Sequence, residues 1–120
     1  MSSTAPLTSP DCLFCKIVAG EVPAEVVTST DTVVAFRDIA PQAPVHVLVA
    51  PRDHHADVAQ LAAADPALLA DVVRTANEVA ESMADGQFRL IFNTGTHAGQ
   101  SVFHVHGHVI AGASLGWTPA

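Results

Sequence analysis

The chain has 120 residues, 49% of them apolar, which is enough to bury one core and too little for two. Twelve carboxylates against five Lys and Arg give a formal charge of -7, which argues against a nucleic acid polymer or an anionic membrane as the main partner. A small phosphate ligand remains compatible with that balance, because a few local N–H groups or imidazoles can hold it without a basic surface.

Residues 1–10, MSSTAPLTSP, are rich in Ser, Thr and Pro and read as a disordered lead-in to a single domain over 11–120. The same stretch lacks a basic n-region and an apolar h-region, and no run is long enough to span a bilayer, so a cytoplasmic protein is expected. Next comes Cys12-x-x-Cys15, a spacing that in a reducing compartment suggests metal binding or redox exchange before a structural disulfide. A short helix is expected over 14–19. Strand signals follow in AEVVTS (24–29), TVVAFRDI (32–39) and VHVLVAP (45–51), with short Asp-, Pro- or Ser-containing linkers that favour antiparallel neighbours. A long helix is expected over 66–84, where Leu68, Leu69, Val72, Val73, Ala76, Val79, Ala80 and Met83 recur at helical spacing. Asp65 supplies its N-cap, Pro66 its first position and Gly86 the left-handed residue after its end. Two more strands close the chain, FRLIFNTG (88–95) and FHVHGHVIA (103–111). The expected fold class is α+β, an antiparallel five-stranded meander sheet with one long and one short helix, without repeats.

In the last strand, alternation places Val102, His104, His106, His108 and Ile110 on one face and the apolar Phe103, Val105, Gly107 and Val109 on the other. The second face suits the core, so the imidazoles look into a site or into solvent. Incidental histidines on a polar face, a metal site, and nucleophilic or acid–base chemistry all fit the pattern. Neutral histidine is a competent nucleophile at pH 7. The preceding loop, NTGTHAGQS (93–101), is rich in glycine and hydroxyl residues and can turn N–H groups toward an anion.

GQSVFHVHGHV, with FCKIVAGEVPA (14–24), VVAFRDIAPQAPVHVLVAPRDH (33–54), FNTG (92–95) and Trp117, resembles the histidine triad (HIT) family and its Hint branch of nucleotide-binding proteins. The resemblance implies a HIT-like fold and a homodimer whose two sheets join. It also implies hydrolysis or transfer at the α-phosphate of a purine nucleotide through a covalent nucleotidyl-histidine. By resemblance His106 is the nucleophile, with a backbone carbonyl fixing its other ring nitrogen, and His108 and Ser101 contact the phosphate and leaving group. Asn93 and the N–H groups of Gly99, Gln100 and Ser101 would hold phosphoryl oxygens. Asp38 would accept from the ribose hydroxyls, with Phe14, Ile17, Phe36 and Ile39 around the base. On physical grounds alone, Asp38 could equally cap the turn through Ala40 and Pro41, and Phe14 and Phe36 could be plain core residues.

Bacterial relatives with such a cysteine pair resemble zinc proteins, and the matching set here is Cys12, Cys15, His46 and His104. Two thiolates and two imidazoles make a closed structural site, so no cofactor would be required for catalysis. Without zinc, the cysteines would be buried thiols and His46 and His104 a relay behind the catalytic pair. His54, His55 and His97 read as exposed. Gly107 stands where the family has a bulky apolar residue, at a cost in packing. The expected activity is nucleoside 5′-phosphoramidate hydrolysis. Rivals are dinucleoside polyphosphate cleavage, a non-catalytic nucleotide- or zinc-binding module, and a metal-dependent hydrolase using all three histidines.

Overall fold

The computed structural model describes residues 8–116, so the readings for residues 1–7 and for Trp117 fall outside the described residues. In chain order the elements are α1 (Leu13–Val18), β1 (Val26–Ser29), β2 (Val33–Arg37), β3 (Val45–Pro51), α2 (Val58–Ala64), α3 (Pro66–Met83), β4 (Phe88–Phe92) and β5 (Gly107–Ala111). All strand pairs are antiparallel, in the order β1-β2-β3-β5-β4. The first three strands form the expected meander. The last two enter in reverse, with β5 inserted beside β3 and β4 left at the edge.

Helix α3 begins where Asp65 accepts a hydrogen bond from the Leu68 N–H and Pro66 takes the first turn. It ends where Gly86, at φ +86, lets its N–H reach back to the Ala80 carbonyl. Leu68, Val72, Ala76, Val79 and Ala80 form its buried stripe, which closes over Val33, Ala35, Val47, Val49 and Val109 of the sheet. Full burial of each large side chain in this layer contributes roughly 1.5–3 kcal/mol. A second short helix, α2, precedes it and is capped by Asp57 accepting from the Gln60 N–H. It buries only Leu61, too little to show as periodicity in the sequence.

The other face of the sheet carries a smaller cluster of Phe14, Val34, Phe36 and Leu48, which α1 covers in part. The histidines lie on this thinly covered side.

Strand β5 starts at Gly107, four residues later than expected. Its register with β3 runs from Val45↔Ala111 to Val49↔Gly107 and would next set Pro51 opposite Val105. Pro51 has no N–H to offer. The Val105 N–H turns to the His55 carbonyl at 2.8 Å, and the Pro51 carbonyl meets His104 Nε2 at 2.7 Å. Strict alternation is therefore lost upstream of Gly107. Val105 and Val109 remain in the core as expected, whereas Phe103, assigned to the same face, is 49% exposed.

Candidate active site

The hydrogen-bond partners fix the tautomers of the central imidazoles. His106 Nδ1 lies 2.8 Å from the His104 carbonyl, which can only accept, so Nδ1 carries the proton and Nε2 keeps its lone pair. The Gln42 N–H donates to His46 Nδ1 at 3.0 Å, so neutral His46 carries its proton on Nε2. That Nε2 lies 3.0 Å from His108 Nδ1 and 3.5 Å from Asp38 Oδ2. His108 Nδ1 is then an acceptor and its Nε2 a donor facing outward. The His106 and His108 rings stand 5.1 Å apart, one presenting a lone pair and the other an N–H.

Burial pushes His106 below its ordinary value and lowers His108 to about 4, the latter helped by the neighbouring imidazoles of His106 and His46. Both are neutral at pH 7. For His106 that is the nucleophilic form.

Two clefts adjoin the pair, one through Phe14, which packs against His106, and one lined by His108 itself. One, of about 200 Å³, is lined by Phe14, Ile17, Phe36, Asp38 and Ile39, which are the five side chains expected around a nucleoside. The Phe14 ring meets Phe36 edge-on at 5.3 Å and His106 at 4.7 Å, so the apolar wall abuts the reactive imidazole. Ile39 is fully exposed. Asp38 Oδ1 accepts from the Ala40 N–H at 2.7 Å, the turn-capping bond, while Oδ2 faces His46. The second cleft, about 460 Å³, lies beyond His108 and includes Gln42, His46, Arg89, Ile91 and Asn93.

The glycine loop is arranged differently from the expectation. The Gly99 N–H donates to Thr96 O and the Gln100 N–H to Gly95 O, both at 3.0 Å, so these two donors are spent inside the loop. The buried Gln100 side chain ties the loop down, donating to the Ala56 and Val102 carbonyls and accepting from the Gly95 N–H. Asn93 Nδ2 donates to Ala98 O at 2.9 Å. Ser101 is exposed and lines a separate cleft with Cys12 and His54; its hydroxyl bonds neither histidine.

His104 is assigned twice in the sequence reading, and its geometry separates the roles. The ring is fully buried, Nε2 donates to the Pro51 carbonyl, and the lone pair on Nδ1 faces Cys12 Sγ at 3.4 Å and Cys15 Sγ at 3.5 Å. Burial holds His104 near 4. Its imidazole therefore belongs to the cysteine cluster, and only its backbone carbonyl serves His106. The three alternating imidazoles do not converge on one point, as a three-histidine metal centre would need.

The fourth member of the cysteine cluster is His54 in place of His46. His54 Nδ1 lies 3.5 Å from Cys15 Sγ, and the ligand atoms of Cys12, Cys15, His54 and His104 all lie within 4.8 Å of one another. His46 is held on β3 beside His108 and Asp38, and His54, expected to be exposed, is half-buried. Tetrahedral zinc with S at ~2.3 Å and N at ~2.0 Å implies S···N separations of about 3.5 Å. The observed 3.4–3.5 Å spacings fit that ion. Burial raises Cys15 and lowers His54, which favours the neutral Cys15 thiol and the neutral His54 imidazole.

His46, Gln42, Arg89 and His54 went unassigned to their present places in the sequence reading. For His46 a signal existed, since alternation in VHVLVAP sets it on the face of Leu48, across the ladder from His108. His54 offered none beyond its position just after β3.

An antiparallel sheet that carries a carbonyl-fixed imidazole beside a second, donor imidazole, with an apolar cleft and a carboxylate next to them, defines the histidine-triad class of site. The family model for the HIT domain matches residues 19–115. A HIT-like protein of Synechococcus elongatus is 42% identical over 113 residues, covering 92% of this chain and 98% of its own. The purine nucleoside phosphoramidase of Escherichia coli is 39% identical over 108 residues, 88% of this chain and 91% of that one. Among solved structures, a HIT family hydrolase from Clostridium thermocellum has a TM-score of 0.88 at 40% identity, covering 94% of this chain and all of its own. A histidine triad nucleotide-binding protein from Candida albicans has a TM-score of 0.77 at 27% identity, covering 92% and 85%. The chain belongs to the HIT family.

Proposed function

We propose that the protein hydrolyses purine nucleoside 5′-phosphoramidates through a covalent nucleotidyl-histidine. The observation that carries this reading is the 2.8 Å bond from His106 Nδ1–H to the His104 carbonyl, which leaves the lone pair on Nε2 of a ring that packs against Phe14 of one cleft and His108 of the other. The nucleoside occupies the cleft of Phe14, Phe36 and Asp38, and Asp38 Oδ2 accepts from ribose hydroxyls. His106 Nε2 attacks the α-phosphorus, and the P–N bond to the leaving amine breaks with its electron pair on nitrogen. His108 Nε2 supplies that nitrogen's proton, because the bound phosphoryl anion counteracts the burial that otherwise keeps His108 neutral. Water then attacks phosphorus, the P–Nε2 bond breaks, and a proton returns to His108. In the resting site the chain of His108, His46 and the Gln42 N–H orients His108, and once His108 Nδ1 is protonated the His46 Nε2–H turns to Asp38 Oδ2, 3.5 Å away. Asn93, beside His108 in the second cleft, and the Ser101 N–H, which engages none of the described residues, are the donors left for the phosphoryl oxygens.

Cys12, Cys15, His54 and His104 would hold a structural zinc ion, which would brace α1 against the segment that carries His106. The protein acts as a homodimer in this reading, since β4 leaves an unpaired edge on a small sheet. No helix among the described residues is long and apolar enough to cross a membrane.

The test is AMP release from adenosine 5′-phosphoramidate in excess EDTA. Turnover by the wild type and its loss in His106→Ala are expected. No turnover in the wild type, or turnover that survives His106→Ala, would overturn the reading.

A further inference from the structure

Cys12 and Cys15 enclose two residues, Leu13 and Phe14, and both of these line the nucleoside cleft. The cysteine cluster and the wall of that cleft are therefore two sides of one helical turn. Phe14 packs edge-on against Phe36 and His106 on the cleft side, and its ring stands 6.0 Å from that of His104 on the cluster side. The two thiols are free and differ in access. Cys15 is buried, with its sulfur enclosed by the Ser9 N–H, His54 and His104. Cys12 is half-buried and opens onto a cleft of about 350 Å³ that it shares with Ser9, Asp11, His54 and Ser101. The two sulfurs lie within 4.8 Å of each other. Cys12 is the N-cap of α1, with extended backbone at φ -84° and ψ 122°, so it can be drawn inward without unwinding the helix.

We propose that Cys12 and Cys15 are a redox modification site, in which a reversible disulfide between them tightens the turn they enclose and lowers the affinity of the nucleoside cleft. The inference rests on reading that cleft as the nucleotide site and adds to it a means of control. The oxidant is a low-molecular-weight disulfide, RSSR. The Cys12 thiolate attacks one of its sulfurs, the reagent's S–S bond breaks, and RS⁻ leaves. The Cys15 thiolate then attacks the Cys12 sulfur of this mixed disulfide and expels the second RS⁻. The two thiol protons of the protein end on the two RSH molecules, so the chain loses two electrons and the reagent gains them. Excess thiol reverses both steps. Cβ atoms one helical turn apart are about 5–6 Å from each other, and a disulfide needs about 3.5–4.5 Å, so closure shortens the turn by about 1 Å. Leu13 and Phe14 must follow, and in a cleft of about 200 Å³ such a shift alters the wall. A disulfide-bonded pair offers no thiolate to a metal, so the oxidised chain also gives up the zinc proposed for the cluster.

The experiment titrates AMP onto the full chain in three states: reduced, oxidised with glutathione disulfide, and reduced again with dithiothreitol. Oxidation should weaken AMP binding by about fivefold or more, which is what roughly 40 Å² of lost apolar contact amounts to, and dithiothreitol should restore it. The intact mass should fall by two hydrogens with no adduct, and the loss should map to the peptide that contains both cysteines. In Cys15→Ser the reaction should stop at a glutathione adduct on Cys12. In Cys12→Ser the buried Cys15 should stay unmodified over the same time, and AMP affinity should not respond to the oxidant. Reduced protein stripped of metal by EDTA should keep its AMP affinity, which separates the disulfide from the loss of zinc. A wild type that forms no internal disulfide, or one that forms it and binds AMP as tightly as before, would overturn the proposal and leave the nucleotide reading standing. Equal weakening by EDTA alone would assign the effect to the metal and overturn it as well. Failure of the reduced protein to bind AMP would bring down both.

Discussion

Adding one methyl group at Gly107 should destabilise the fold through two identifiable neighbours. A Cβ built there lies 2.7 Å from Leu90 Cδ1 and 3.1 and 3.2 Å from the edge of the Phe92 ring. The strand cannot retreat, because Gly107 is paired with Val49 on one side and Phe92 on the other. Either both side chains leave their rotamers or the ladder bends, and such overpacking costs about 1–3 kcal/mol. For a domain of this size that corresponds to a fall in Tm of roughly 4–20 °C. Phe92→Leu, a milder exchange in the same layer, should cost less than about 1.5 kcal/mol alone. If Phe92 fills the space that Gly107 leaves, the Gly107→Ala, Phe92→Leu double variant should be more stable than the sum of the two changes predicts, by about 1 kcal/mol. Urea unfolding of the four proteins measures that coupling directly. A neutral Gly107→Ala, or additivity within about 0.5 kcal/mol, would refute the reasoning. The same pair explains how a glycine is accommodated between two histidines: bulk has moved across the ladder, from β5 to β4.

Zinc content measured after dialysis should be about one ion per chain and should be lost in His54→Ala but kept in His46→Ala; the reverse pattern would return His46 to the cluster. Removing zinc with a chelator should lower Tm without abolishing AMP release, since no step of the proposed chemistry uses the ion. His108 is held near 4 in the folded chain against 6.5 when free, so the unfolded chain binds the extra proton between those values. Its stabilising contribution is complete above pH 6.5 and is lost as pH falls toward 4, so His108→Gln should show a shallower acid-side loss of Tm than the wild type, and parallel curves would refute this. Asp65→Ala removes the cap on the Leu68 N–H and should cost about 1 kcal/mol in thermal unfolding, with the phosphoramidase assay unaffected.

The long helix was readable almost residue by residue because its cap, its proline and its terminal glycine are all local signals, and β3 was bounded to the residue by a run of buried apolar side chains. The five side chains expected around a nucleoside were named from motif resemblance, and they line one cleft. What could not be read was set by contacts between distant segments. Pro51 stops the β5 ladder only because strand order places it opposite Val105, and that order follows from the insertion of β5 between β3 and β4. His54 and His46 are both near β3 in sequence, and only the path of the chain after Pro51 decides which of them meets the cysteines. The glycine loop looked like a cradle of free N–H groups, yet two of them close its own turn, a competition that composition does not reveal.

His104 has a consequence for when the protein becomes competent. Its ring is anchored by Cys12, 92 positions earlier in the chain, and by the Pro51 carbonyl, 53 positions earlier, and its own carbonyl then sets the tautomer of His106. A growing or partly folded chain lacks those anchors, so its His106 exchanges between both tautomers in water and holds no fixed lone pair on Nε2. In the proposed chemistry, reactivity would therefore depend on completion of the fold, because the segment that fixes His106 is itself held by residues far earlier in the chain.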